Sequence, residues 1–207
     1  MIRIGRVVRR LPFTWLMLAG LSMVAAFTDT GVAEISRHWL NRLGYAPRDL
    51  VYMHWDRLLA SAVVTGGDGA FWEALAMIAV AVGTSEWLTG TRRAAVTFWG
   101  VHLATLLIES LVALPLHRLG FSLGTALVFA RDVGPSAGYF GSLGLTLARW
   151  PKRGSRLIAS GILLALIVAT ALPPPAGNTV VIKLTADLAH LIAFPLGWLS
   201  GRIGEDA

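Results

Sequence analysis

Two residues of this 207-residue chain pair a nucleophilic hydroxyl with an imidazole inside apolar surroundings: Ser136 and His190. Glu73, Glu86, His102, Glu109, Arg131, Asp132 and Asp187 also lie in or at the ends of apolar stretches. An ionisable group in such a stretch is costly, so it marks a function or a specific partner. Ser136 lies 13 residues before Arg149, and His190 lies 12 residues before Arg202. At 1.5 Å rise per residue both side chains stand roughly 18–20 Å from the basic end of their segments, and so share a level. An imidazole that takes the hydroxyl proton turns serine into a nucleophile. The same spacing also fits a plainer arrangement. In it Ser136 bonds back to its own helix and His190 is a satisfied polar residue at a helix interface. The chain has no cysteine, which excludes a thiol nucleophile, a thiolate metal site and a disulfide scaffold.

These residues need elements to hold them. Apolar residues make up 55% of the chain and charged residues only 14%, and the mean hydropathy is +0.64. Soluble domains carry about 25% charged residues. A net charge of +6 would suit a nucleic-acid binder only if the basic residues covered a solvated face. Here they cluster between apolar runs, which argues against nucleic acid and for a multi-span membrane protein. Six stretches are long enough for spanning helices: about 11–27, 70–88, 94–114, 123–148, 157–172 and 180–199. The cluster Pro173-Pro174-Pro175-Ala176-Gly177-Asn178 separates the last two. The first follows Arg3, Arg6, Arg9 and Arg10 as a secretory signal would, but no small-x-small cleavage site comes after it, so it reads as a retained span.

Loop charges orient the spans. The four N-terminal arginines, Arg92 and Arg93, the group Arg149, Lys152, Arg153 and Arg156, and Arg202 fall in alternate connections. By the positive-inside rule these regions and both termini are cytoplasmic. The loop of residues 28–69 is then external. It mixes Asp29, Glu34, Asp49 and Asp56 with Arg37, Arg42, Arg48 and Arg57, and adds Trp39, Tyr45, Tyr52 and Trp55. It reads either as short amphipathic helices in the headgroup region or as an ordinary aromatic belt. The expectation is one all-α membrane domain over 1–207, with six spans.

Small residues suggest how the spans pack. Gly134, Gly138, Gly141 and Gly144 recur in the fourth stretch, and Ala189, Ala193, Gly197 and Gly201 in the sixth. Such stripes let helices approach closely, so spans four and six should pack on each other or on a shared neighbour.

Several segments together resemble the rhomboid intramembrane serine proteases. Gly134-Pro135-Ser136-Ala137-Gly138-Tyr139-Phe140-Gly141 is similar to their Gly-x-Ser-Gly segment on the fourth span. Asp187-Leu188-Ala189-His190 with Gly197 and Gly201 resembles the Ala-His and glycine stripe of the sixth. His54-Trp55-Asp56-Arg57 resembles the Trp-Arg segment of the first external loop, with Asp56 inserted. Glu86-Trp87-Leu88-Thr89-Gly90-Thr91-Arg92-Arg93 is similar to the Glu…Gly…Arg turn after the second span. The resemblance runs in order from about residue 50 to 203.

The resemblance implies a Ser136–His190 catalytic dyad without an acidic third member. Phe140 would be the ring on which His190 stacks, and Gly134 would support the site. No cofactor or metal is implied. Substrates or clients would be transmembrane segments of other proteins, met in the lipid bilayer, and the implied location is the plasma (cytoplasmic) membrane of a bacterium. The sequence departs from the pattern in three places. Ala137 stands where the family has glycine, and Pro135 precedes the serine and is able to kink the helix. Trp72 and Ala76 fall where the family places a His and an Asn to stabilise the oxyanion. His102, on the third span, is the candidate to replace them, or else only bonds a neighbouring helix. Two functions follow as expectations: a divergent protease, or a pseudoprotease that binds transmembrane helices without cutting them. A small transporter is the third reading, but no pair of broken helices in matching halves supports it.

Overall fold

The structure is a computed structural model that describes residues 8–150, 154–172 and 179–203. Arg3, Arg6, Lys152, Arg153 and the cluster from Pro173 to Asn178 lie outside the described residues. Among the described residues the fold is all-helical, and two isolated bridges, Glu34–Gly67 and Tyr45–Asp132, are the only extended pairings. We number the helices α1 Pro12–Thr28, α2 Arg37–Leu43, α3 Pro47–Val51, α4 Asp56–Ala60, α5 Gly69–Thr89, α6 Thr91–Arg118, α7 Ser122–Phe129, α8 Ser136–Arg149, α9 Ser155–Ala171 and α10 Thr179–Arg202.

Three of these, α5, α6 and the Val180–Arg202 part of α10, are long and apolar enough to cross a membrane. Helices α1 and α9 are also apolar but have 17 residues each, the lower end of spanning length. Their outward faces stay apolar, as at Leu16, Phe27, Val80, Leu111 and Leu157. A helix that is hydrophobic on every side belongs in a membrane rather than in water.

Polar side chains close the helix ends. The first N–H groups of a helix lack internal acceptors. In α1 the Phe13 and Thr14 N–H groups donate to the Glu86 carboxylate at 3.0 and 2.8 Å, and the Thr14 hydroxyl adds a third bond at 2.7 Å. The buried negative charge of Glu86 thus sits on the positive end of the α1 dipole. Gly90, at φ +84°, turns the chain from α5 into α6. Arg93 then donates to the carbonyls of Ser200 and Ile203, both at 2.7 Å, and closes the C-terminal end of α10. The Glu…Gly…Arg turn therefore ties together the ends of four helices, α1, α5, α6 and α10. Midway along α5, Ile78–Val82 form a π-helical segment, an irregularity often found near functional sites.

Helix α8 is the axis of the bundle, and most of its side chains are buried. Its glycines meet different partners. Gly138 faces the ring of Phe98 on α6, and Gly141 faces Val101. Gly144 lies against the backbone of Phe194, Gly197 and Trp198 on α10. Gly197 in turn lies against the Gly141 carbonyl, and Gly201 against Ala148. The expected pairing of the two glycine stripes is what the structure holds, with α6 as the shared neighbour on the other side.

The fourth stretch differs from its expectation. Residues 123–148 do not form one helix. Helix α7 ends at Phe129, residues 130–135 are non-helical, and α8 starts at Ser136. Helix α7 instead folds back on the end of α6, turned there by Gly120 at φ +82°. Gly124 makes the fold-back possible, since a Cβ there would overlap the backbone at Leu116 and His117.

The backbone contact between α8 and α10 leaves no room for a methyl group. Gly197→Ala is expected to cost about 1–3 kcal/mol through overpacking, read as a lower unfolding temperature in detergent. Gly161→Ala on α9, where a Cβ meets nothing within 4 Å, is the matched control and should be neutral or stabilising. Equal behaviour of the two variants would contradict the packing described.

Candidate active site

The residues before Ser136 cannot continue α7 and are held by partners far away in sequence. Asp132 and Tyr45 exchange backbone hydrogen bonds at 2.8 and 3.0 Å. The Gly134 N–H donates to the Ser61 carbonyl at 2.8 Å. Gly134 has φ +144°, a conformation that side chains disfavour. Pro135 comes next, outside the helix, where its missing N–H costs nothing. It starts α8 rather than kinking it, and its carbonyl accepts the first helical bond, from Tyr139 N–H at 3.0 Å.

Asp49 anchors this segment to the loop of residues 28–69. Its carboxylate accepts from Arg131 at 2.7 and 3.2 Å, from Arg57 at 2.6 Å and from the Ala46 N–H at 3.0 Å. Arg131 also donates to the Gly44 carbonyl at 2.6 Å. The loop of residues 28–69 forms three short α-helices, and its bonds to residues 131–134 and to α6 tie it to the bundle. Tyr52 and Trp55 are exposed, but Tyr45 is buried and its hydroxyl pairs with Ser110 on α6 at 2.7 Å. Asp56 is exposed, and Arg57 of the Trp-Arg segment serves Asp49. Burial alone would raise the Asp49 carboxyl. The hydrogen bonds from Arg131 and Ala46 and the charges of Arg131 and Arg57 outweigh it and hold the group below the usual carboxylate range.

Ser136 is the first residue of α8 and is partly exposed. Phe140 stands one turn further on the same face. The His190 ring stacks on Phe140, with centroids 4.2 Å apart and planes at 27°. Ser136 and His190 make no hydrogen bond in this structure, and the buried Nε2 of His190 has no partner. The structure therefore stacks His190 on a ring that lies one turn from Ser136 along α8, and does not bond the two residues to each other. The first N–H groups of α8 carry the positive end of its dipole beside Ser136. Further along α10, Lys183 and Asp187 form an ion pair.

The remaining candidates are placed differently. Gly134 uses its N–H on Ser61, so that group is not open to an oxyanion. His102 is buried on α6, where its Nε2 donates to the Leu58 carbonyl at 3.1 Å and lies 3.4 Å from the Ser61 hydroxyl. Its donor is spent on the loop of residues 28–69, and its Nδ1 has no partner among the described residues. His102 thus supports the loop that holds Gly134 and is not aimed at Ser136. Trp72 is 62% exposed and Ala76 is exposed too, so both point away from the bundle. The buried positions on the first part of α5 are Phe71, Ala74, Ile78, Ala81 and Val82, and none offers a donor. Glu109 on α6 is half-buried, and its Oε1 is buried without a partner among the described residues.

No protein-family model matches the chain, and neither does any curated protein or solved structure.

The Asp49 cluster was legible only as a charged loop, because its partner Arg131 lies far along the chain. Removing Asp49 would leave Arg131 buried and unpaired. Asp49→Asn is expected to cost about 3–5 kcal/mol near neutral pH. A lowered folded-state pKa stabilises the protein above the unfolded value of 3.8, and that stability is lost as pH falls through the folded value. The gap in unfolding temperature between wild type and Asp49→Asn should therefore be full at pH 6 and shrink below pH 4. A gap independent of pH would remove the carboxylate from this role.

Proposed function

We propose that the chain is a rhomboid-like intramembrane serine protease with a divergent oxyanion site. In this reading α1, α5, α6, α8, α9 and α10 make six crossings, both termini are cytoplasmic, and the loop of residues 28–69 is external. The protein then resides in the plasma membrane of a bacterium and cuts transmembrane segments of other proteins near their outer ends. With 14 residues, α8 is about 21 Å long and starts partway across a bilayer core of about 30 Å. In this reading Ser136 lies at a helix start inside the membrane, reachable by water from the outer side.

The observation that carries this reading is the stacked Phe140–His190 pair one turn from Ser136, with His190 Nε2 buried and unpartnered. A free Nε2 lone pair is the acceptor a general base needs. His190 takes the Ser136 proton as the hydroxyl oxygen attacks the scissile carbonyl. The proton passes to the leaving amine, and a water activated by the same imidazole releases the acyl group. The backbone N–H groups at the α8 start are the remaining oxyanion donors.

One observation favours the second reading, a pseudoprotease that binds transmembrane helices. The buried face of the first part of α5, Phe71 to Val82, has no side-chain donor where a complete site would carry two. Loss of one such donor in a soluble serine protease costs about 10²–10³ in rate, so turnover should be slow.

Purified protein treated with a serine-directed fluorophosphonate should be labelled, and Ser136→Ala should not. His190→Ala should label about 10²–10⁴ times more slowly, the usual worth of a general base. A transmembrane test substrate should follow the same order. Labelling that persists in Ser136→Ala ends the protease reading. No labelling or cleavage by any form moves the conclusion to the helix-binding pseudoprotease.

Orientation has its own test. The native chain has no cysteine, and Val32 and Gly154 are exposed. On intact cells an impermeant maleimide should label Val32→Cys and spare Gly154→Cys. The reverse pattern inverts the topology.

A further inference from the structure

A groove of about 650 Å³ opens between α2, α3, α7 and the beginning of α10, and neither Ser136 nor His190 lines it. Every charged residue in its lining is an arginine: Arg37, Arg48 and Arg131. Arg131 is engaged by Asp49. Arg37 and Arg48 form no ion pair among the described residues. The Arg48 guanidinium lies over the Phe129 ring, 5.0 Å from its centroid. Asn41 adds a neutral amide. The other walls are apolar, and two of their residues, Phe129 and Ile182, are 50% and 54% exposed beside the groove.

Two uncompensated guanidinium groups beside an apolar wall call for a ligand with an anionic head and a hydrocarbon body. Arginine forks match phosphate oxygens in pairs. A free phosphate would fill the cationic end and leave the wall bare. A neutral lipid would cover the wall and leave the charges unmatched. We propose that this groove binds an anionic glycerophospholipid, with its phosphate between Arg37 and Arg48 and its acyl chains along Phe129 and Ile182. The bound lipid would brace α7 and the external-loop helices against α10, next to the 130–135 segment that precedes Ser136. The proposal does not depend on whether Ser136 is a nucleophile.

The test is thermal unfolding of the full-length protein in neutral detergent, titrated with phosphatidylglycerol, with diacylglycerol or with inorganic phosphate. Phosphatidylglycerol should raise the unfolding temperature and saturate, and the other two should not at matched concentration. In the Arg37→Gln/Arg48→Gln double variant the half-saturating lipid concentration should rise about tenfold or more, because charge-assisted bonds to phosphate are lost. Arg37→Gln alone, at an exposed position, should give an intermediate rise and guards against a double variant that fails to fold. Arg92→Gln, at an exposed basic position at the start of α6 away from the groove, should leave the titration unchanged. An unchanged half-point in both arginine variants overturns the site. An equal shift from inorganic phosphate overturns the lipid as ligand, and an equal shift from diacylglycerol overturns the need for the anion.

Discussion

An interrupted helix in apolar surroundings leaves backbone donors and acceptors that must find partners elsewhere. The break at residues 130–135 sets that constraint, and much of the fold satisfies it. Asp132 pairs with Tyr45, Gly134 with Ser61, and Arg131 with Asp49 and Gly44. All these partners belong to the loop of residues 28–69. The loop in turn rests on α6 through Tyr45–Ser110 and Leu58–His102. A short chain of bonds therefore runs from α6 through the loop to the residue before Pro135. It explains why a buried charge is kept here. A hydrophobic replacement for Asp49 and Arg131 would pack as well, but could not hold a non-helical backbone in place.

The break is what gives Ser136 its setting. In a continuous helix the serine hydroxyl would turn back on a carbonyl one turn earlier, as Ser142 does on Gly138. At a helix start no such carbonyl exists, and the neighbouring N–H groups are open. The close approach of α8 and α10 supplies the other half. Gly141 and Gly197 bring the two backbones together, and His190 then reaches the Phe140 ring. A single methyl group at Gly197 would separate them.

The same construction shows where the site is lean. The proposed protease would need oxyanion donors from α5. Here α5 turns Trp72 outward and packs Phe71, Ala74 and Ile78 inward. His102, the residue best suited by type to fill the gap, is committed to the loop. The protease reading thus rests on backbone N–H groups at the α8 start, and the pseudoprotease reading on the absence of side-chain help.

Composition and periodicity determined what depends on the solvent and on neighbours within a turn or two. An apolar chain with clustered basic residues reads as membrane helices, and the ends of five of the six stretches fall within a few residues of the helices observed. The glycine and alanine stripes were equally legible, since small residues at spacing four have few uses other than close packing. The fourth stretch was not, because residues 123–148 are apolar enough to continue as one helix, and Pro135 alone allows either a kink or a start. Only the tertiary structure chose, through Asp49, Tyr45 and Ser61, all distant in sequence. The fate of His102 and Glu86 was hidden for the same reason. Each is a polar group in an apolar run whose meaning lies in its partner, Leu58 for one and the N-terminus of α1 for the other. Local sequence sets which faces are apolar and where helices approach, whereas partners for buried polar groups exist only once the chain has folded.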